Sequence, residues 1–156
     1  MGMIPLFGKG AVVAQIAEFQ SRLEKAMVFL LKYLGEDLAR YAKDNHTYTD
    51  QTGNLTNSIG YAVVHEKKIV YYGGSNQPGI GADEALKTAL KVAHEMTATY
   101  SLIIVAGMNY AAYVEAKGYN VILPAELRAK TEFPAAMNKL MAKAQNKANE
   151  LFGNVI

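Results

Sequence analysis

A chain of 156 residues falls within the usual size of one domain, and size scaling lets it bury about two thirds of its unfolded surface, so neither a multidomain enzyme nor a stapled mini-protein is expected. Zero cysteines exclude disulfides, thiolate metal sites and cysteine nucleophiles; any catalysis is left to oxygen and nitrogen groups, and a reducing compartment suits the chain. The composition is 51% hydrophobic and 19% charged with a net charge of +2, an apolar excess that suggests surface reserved for a partner chain and a charge too slight to mark a nucleic-acid binder.

Residues 1–11 begin MGMIPLFGKG and carry neither the basic region nor the cleavage site of an export signal, and Leu6 stands where a myristoylation motif needs Ser or Thr. They read instead as a flexible apolar arm in which Ile4, Leu6 and Phe7 are flanked by Gly2, Gly8 and Gly10. From about Val12 to Asp44, Ile16, Phe19, Leu23, Met27, Leu30, Leu34, Leu38 and Tyr41 recur at spacings of three and four, the stripe of one long helix. Its most apolar window, residues 26–31, lies between Lys25 and Lys32 and is far short of the ~20 residues a membrane span needs, so no membrane partner is expected. Gly35 interrupts the stripe and marks a bend or a close approach.

Residues 46–54 are polar and turn-rich, and Leu55 to Ile59 suit a single helical turn before Gly60. Tyr61 to Val64 and Ile69 to Tyr72, separated by His65-Glu66-Lys67-Lys68, predict an antiparallel strand pair. Residues 73–81, with four glycines among nine residues, form a predicted flexible loop containing Gly74, Asn76 and Ile80; a second amphipathic helix then begins at Ala82-Asp83-Glu84 and runs to about Ala98. Tyr100 to Gly107 is an almost wholly apolar run that reads as a central strand, followed by a short helix at Tyr110 to Glu115 and a further strand at Tyr119 to Leu123 ended by Pro124. Residues 134–152 form a predicted C-terminal amphipathic helix with Lys139, Lys143 and Lys147 along one ridge. The order indicates an α+β fold: a long N-terminal helix and further helices packed on a small, mainly antiparallel sheet, in one domain over residues 1–156.

The chemistry-bearing motifs fail their spacing tests. Ala98 and Ile69 occupy the positions where a second histidine would complete a zinc helix begun by His94-Glu95 or His65-Glu66. The 73–81 loop has neither the third glycine of a dinucleotide fingerprint nor the Gly-Lys-Ser/Thr of a phosphate loop, and none of the serines sits in a nucleophile elbow. No catalytic, cofactor-binding or metal-ligating residue is therefore expected, and no enzyme. A hydrolase without a recognisable motif and a DNA-binding module using Lys139, Lys143 and Lys147 stand as the alternatives. Ten tyrosines and no tryptophan suit half-buried faces and subunit contacts, with Tyr110 and Tyr113 on one face beside Glu115. Glu115 is either a helix-end hydrogen-bond acceptor within the subunit or half of an intersubunit ion pair.

Two segments carry a resemblance. Thr52-Gly53-Asn54-Leu55-Thr56-Asn57-Ser58-Ile59 leading into Gly60-Tyr61-Ala62-Val63-Val64 is similar to the Thr-Gly-Asn-Leu segment before a strand in the minor tail, tail-completion and neck proteins of tailed bacteriophages. Val105-Ala106-Gly107-Met108-Asn109-Tyr110-Ala111-Ala112-Tyr113-Val114-Glu115 resembles that family's strand, glycine and Tyr-Ala-x-Tyr-Val-Glu segment, although Ala116-Lys117-Gly118-Tyr119-Asn120 replaces its usual continuation. With the long helix, the likeness covers roughly residues 12–123. It implies a structural, non-enzymatic subunit of a phage or prophage tail or head-to-tail junction. Such a subunit assembles into a homo-oligomeric ring with neighbouring virion proteins, in the bacterial host cytoplasm during assembly and in the virion tail or neck afterwards. The subunit contacts expected on that basis are Ile4, Leu6, Phe7, Gly74, Asn76, Ile80, Tyr110, Tyr113 and Glu115.

Overall fold

A computed structural model describes residues 9–47, 54–74, 80–107, 115, 118 and 121–153. In chain order these form α1 (Lys9–Asp44), α2 (Asn54–Asn57), β1 (Gly60–His65), β2 (Lys68–Gly73), α3 (Ile80–Glu95), β3 (Tyr100–Val105) and α4 (Leu123–Phe152). The three strands make an antiparallel sheet in the order β2-β1-β3, so the expected α+β arrangement is the one observed.

The strand period of two divides the core between the sheet faces. Tyr61 and Val63 of β1 point to one face, where Leu31, Leu38 and Ala42 of α1 and Ala125 of α4 cover them. Ala62 and Val64 point to the other, where Ala85, Ala89 and Ala93 place α3 against Ile103 and Val105 of β3. Alanine at every fourth position brings α3 close to the sheet and leaves Leu86 and Leu90 on its exposed side. The run 100–107, expected to be the central strand, lies at the edge among the described residues; β1, buried on both faces from Gly60 to Val64, is central.

The hairpin between β1 and β2 is tighter than the expected four-residue connection. His65 pairs with Lys68, and only Glu66 and Lys67 turn, both with positive φ (50° and 68°), the twist that matches two right-handed strands. Farther along, Val63 pairs with Tyr71 but Val64 with Ile69, a bulge that leaves Val70 over and exposed.

Gly35 marks a close approach rather than a bend, for α1 continues through it over 36 residues, about 54 Å. The Tyr61 ring lies so close that a Cβ at position 35 would come within 2.6 Å of its Cγ, and glycines 73 and 74 crowd the same ring from β2. The Tyr61 hydroxyl meets the side chains of Glu36 and Tyr71. A second glycine joint holds α3. A Cβ on Gly107 would lie 2.5 Å from the Ala85 nitrogen, and the Gly107 N–H donates to the buried Ser58 Oγ at 2.9 Å. Ser58 in turn donates to the Leu55 carbonyl at 2.6 Å.

The C-terminal region departs most from expectation. Val121 and Ile122 lead directly into α4 instead of forming a strand, and Pro124 sits in its first turn, where a missing N–H costs nothing. The helix begins eleven residues before the expected start at 134 and carries Pro134 in its interior. Proline there forfeits one ladder bond and is ordinarily worth ~3 kcal/mol against a helix. Packing on both sides of it continues the helix: Ala129 and Phe133 before, Met137 and Leu140 after, all against the α1 face of the core. Arg128 also clamps α4 to α1 through Asp37 at 3.3 Å and the Tyr41 ring at 4.5 Å.

Burial, the hydrogen bond with Glu36 and the charge environment raise the Tyr61 hydroxyl well above its ordinary value of 10.0. A group raised in the folded state stabilises fully below its unfolded value and loses that contribution as pH climbs toward the folded one. Urea unfolding across the alkaline range should therefore show stability falling once pH passes 10.0, with a shallower fall in Tyr61→Phe.

Candidate functional site

Two concavities flank α1. The first is a hollow of about 440 Å³ at the hairpin end of the sheet, where α1 contributes Glu24, Lys25, Phe29 and Lys32 and the strands contribute His65 and Tyr100. His65 and Tyr100 face each other across the β1–β3 ladder and their rings stack 4.4 Å apart and parallel. The Tyr100 hydroxyl is buried with no hydrogen-bond partner, and burial, then Glu24 and Glu66, raises it above the ordinary tyrosine value. Phe29 stands at the rim 72% exposed, with Tyr33 one helical turn further at 64%. Lys32 lies over the Tyr71 ring at 4.1 Å, so its ammonium is held by an aromatic face. Aromatic surface bordered by mixed charge suits recognition of another protein surface. Among the described residues, no group of three His, Asp or Glu side chains could hold a metal, and no helix is long and apolar enough to cross a membrane.

The second concavity is a groove of about 460 Å³ between the distal halves of α1 and α4. The helices run antiparallel, for Phe19 meets Phe152 edge-on at 5.7 Å while Asp37 meets Arg128. Before Met27, no described side chain of α1 is buried, and in α4 only Ala125 is. Phe19, Leu23, Ala26, Leu140, Ala144 and Leu151 make an apolar floor. Ion pairs Glu18–Arg22 at 2.5 Å and Lys147–Glu150 at 3.3 Å stand on the helices that border it.

Ile4, Leu6, Phe7, Asn76, Tyr110 and Tyr113 lie outside the described residues. Ile80 opens α3, and Gly73 closes β2, so both ends of the expected 73–81 loop belong to regular elements. Gly74 is no free loop residue: with φ +89° it packs on Gly60 and Tyr61, and its carbonyl accepts a hydrogen bond from Lys43 Nζ. Partial burial lowers the Lys43 ammonium from its ordinary value, against the pull of Glu36 and Asp44. Of the two roles open to Glu115, the structure shows the one within the subunit. Its carboxylate accepts from the Val121 N–H and, at 2.7 Å, from the Leu123 N–H, satisfying two backbone donors at the start of α4 and placing negative charge there. Lys139, Lys143 and Lys147 are all exposed on α4; Lys143 and Lys147 edge the groove, and Lys147 is paired with Glu150.

The residues that sequence reasoning passed over are Phe29 and Tyr33. Their signal was present: two aromatic rings four apart and off the buried stripe of the same helix. Compared with protein-family models, curated proteins and solved structures, the chain matches none.

Glu115→Ala removes both acceptors from the α4 start and should cost about 1–2 kcal/mol in urea unfolding, with Glu115→Gln intermediate. An unchanged Glu115→Ala midpoint would contradict the capping role.

Proposed function

We propose that this chain is a structural subunit of a phage or prophage tail or head-to-tail junction, assembling into a ring with copies of itself and with neighbouring virion proteins. One observation carries the assembly half of the reading: Phe29 and Tyr33 stand 72% and 64% exposed one turn apart on α1, and Phe29 lines the hollow that holds the His65–Tyr100 stack. Isolated apolar side chains on a surface are ordinary, but paired aromatics bordering a hollow are the usual anchors of protein interfaces. Leu86 and Leu90 on the outer side of α3 give a second apolar strip on the opposite side of the sheet. Two different patches on opposite sides are what a head-to-tail contact requires, and such contacts close into rings when the rotation permits.

The phage half rests on the resemblance in residues 52–64 and 105–115. The two segments are joined in space, because Ser58 of the first accepts the Gly107 N–H of the second and donates to Leu55. The short helix before β1 and the glycine after β3 thus form one structural unit, which gives the paired motifs a shared physical basis.

Sedimentation velocity and native mass spectrometry over a concentration series test the reading. The unaltered chain should form a discrete oligomer, and Phe29→Ser/Tyr33→Ser, with unchanged circular dichroism, should need about tenfold or more higher concentration to do so, as expected when interface anchors are lost. A chain that stays monomeric throughout would overturn the assembly reading.

A further inference from the structure

We infer that the exposed stripe of α1 bearing Phe29 and Tyr33 docks in parallel on the outer strip of α3 of a second copy, with Lys25 of one copy facing Asp83 of the other. The inference deepens the ring reading above, on which it rests, by naming the two faces of its contact and their register.

The two stripes match in length and in order. On α1, Lys25, Phe29, Tyr33 and Glu36 are exposed and lie three or four residues apart, so they share the side of the helix turned from the core. On α3, Asp83, Leu86, Leu90 and His94 are exposed at the same kind of spacing, clear of the alanine row that meets the sheet. Each stripe spans eleven residues from its first ionisable group to its last, about 16 Å of helix. Each carries two large apolar side chains four apart between those ends, and in parallel alignment Phe29 and Tyr33 fall within one residue of level with Leu86 and Leu90.

Charge decides the direction. Parallel alignment sets Lys25 against Asp83 and Glu36 against His94. Antiparallel alignment sets Glu36 against Asp83, a like-charge pair of the kind that rejects a wrong register, and Lys25 against His94. Among the described residues neither Lys25 nor Asp83 makes an ion pair, so each has its charge open to a partner. The nearby cations Lys87 and Lys32 are already held within the chain, the one by Glu84 and the other over the Tyr71 ring. Because α1 and α3 cover opposite faces of the sheet, one copy does not close this contact on itself. Each copy offers α1 to one neighbour and α3 to another, the heterologous arrangement that builds rings.

Charge reversal with rescue tests the register. Lys25→Glu and Asp83→Lys change exposed side chains and should leave circular dichroism unchanged. Each should raise the concentration at which sedimentation velocity detects the oligomer by about tenfold or more. The Lys25→Glu/Asp83→Lys double variant restores the pair with its signs exchanged and should return that concentration to within about twofold of the unaltered chain. Lys139→Glu makes the same charge change away from the stripe and should leave assembly as it is. The chain has no cysteine of its own, so engineered pairs report the direction. Under mild oxidation Lys25→Cys/Asp83→Cys should give disulfide-linked oligomers in about tenfold or greater excess over Lys25→Cys/His94→Cys. A double charge variant that assembles no better than the single ones overturns the inference, as do an equal loss in Lys139→Glu and an equal or reversed crosslinking ratio. Assembly weakened by Phe29→Ser/Tyr33→Ser but not by Lys25→Glu or Asp83→Lys overturns the register and leaves the ring reading standing, whereas an unaltered chain that is monomeric overturns both.

Discussion

The arrangement depends on an aromatic ring set into a helix surface. Tyr61, 2% exposed at the start of the central strand, occupies the space that a side chain at position 35 would fill. Removing a Cβ from a helix interior costs about 1 kcal/mol in propensity, and here that loss lets the sheet approach α1 closely enough for Tyr61 to be enclosed. β2 makes the matching concession with Gly73 and Gly74 on the ring's other side, and Lys43 ties the Gly74 carbonyl back to α1. The contact fixes which stretch of α1 the sheet covers, residues 31–42, and therefore which stretch it leaves uncovered.

From that placement the rest follows in steps. With the sheet seated on the C-terminal part of α1, the preceding turns extend past the core, and α4 runs back beside them from the Arg128 clamp to Phe152. The two distal halves touch each other but enclose nothing, so their apolar side chains form a groove instead of a core. Phe29 and Tyr33 stand exposed on the same stretch of α1 where Leu31 and Leu34 are buried, and Phe29 lines the hollow beside His65 and Tyr100. Part of the apolar excess of the composition thus lies exposed on the far helix pair, on Phe29 and Tyr33, and on Leu86 and Leu90 along the outer side of α3.

Periodic features were legible in the sequence. The stripe on α1, the strand pair and the alanine-rich second helix each repeat a local preference that tertiary packing reinforces. Gly35 was legible as an exception without its cause, because the ring it receives comes from 26 residues away. The failures have a common origin in context. The apolar run 100–107 looks central because both faces of β3 meet helices or side chains, yet β1 separates it from β2. Leu123 and Pro124 read as a strand end because proline stops strands, but in the first turn of a helix it is equally at home, and the Glu115 carboxylate supplies acceptors just there. Pro134 hid eleven residues of helix, since local sequence does not report the packing of Phe133 and Met137 that overrides it. Of the expected contact residues, Gly74 packs on Gly60 and Tyr61 and Glu115 accepts from two backbone N–H groups at the start of α4, while the exposed Phe29 and Tyr33 lie off the apolar stripe of α1.

The decisive measurement is the unfolding free energy of Gly35→Ala, because the two contributions have opposite signs. Helix propensity alone would make alanine more stable by about 1 kcal/mol. Enclosure of Tyr61 predicts the reverse: the added methyl group collides with the ring, and stability should fall by about 2 kcal/mol or more in urea. A Gly35→Ala protein as stable as the parent, or more so, would contradict the seating of the sheet on α1 and with it the placement of the uncovered helix pair.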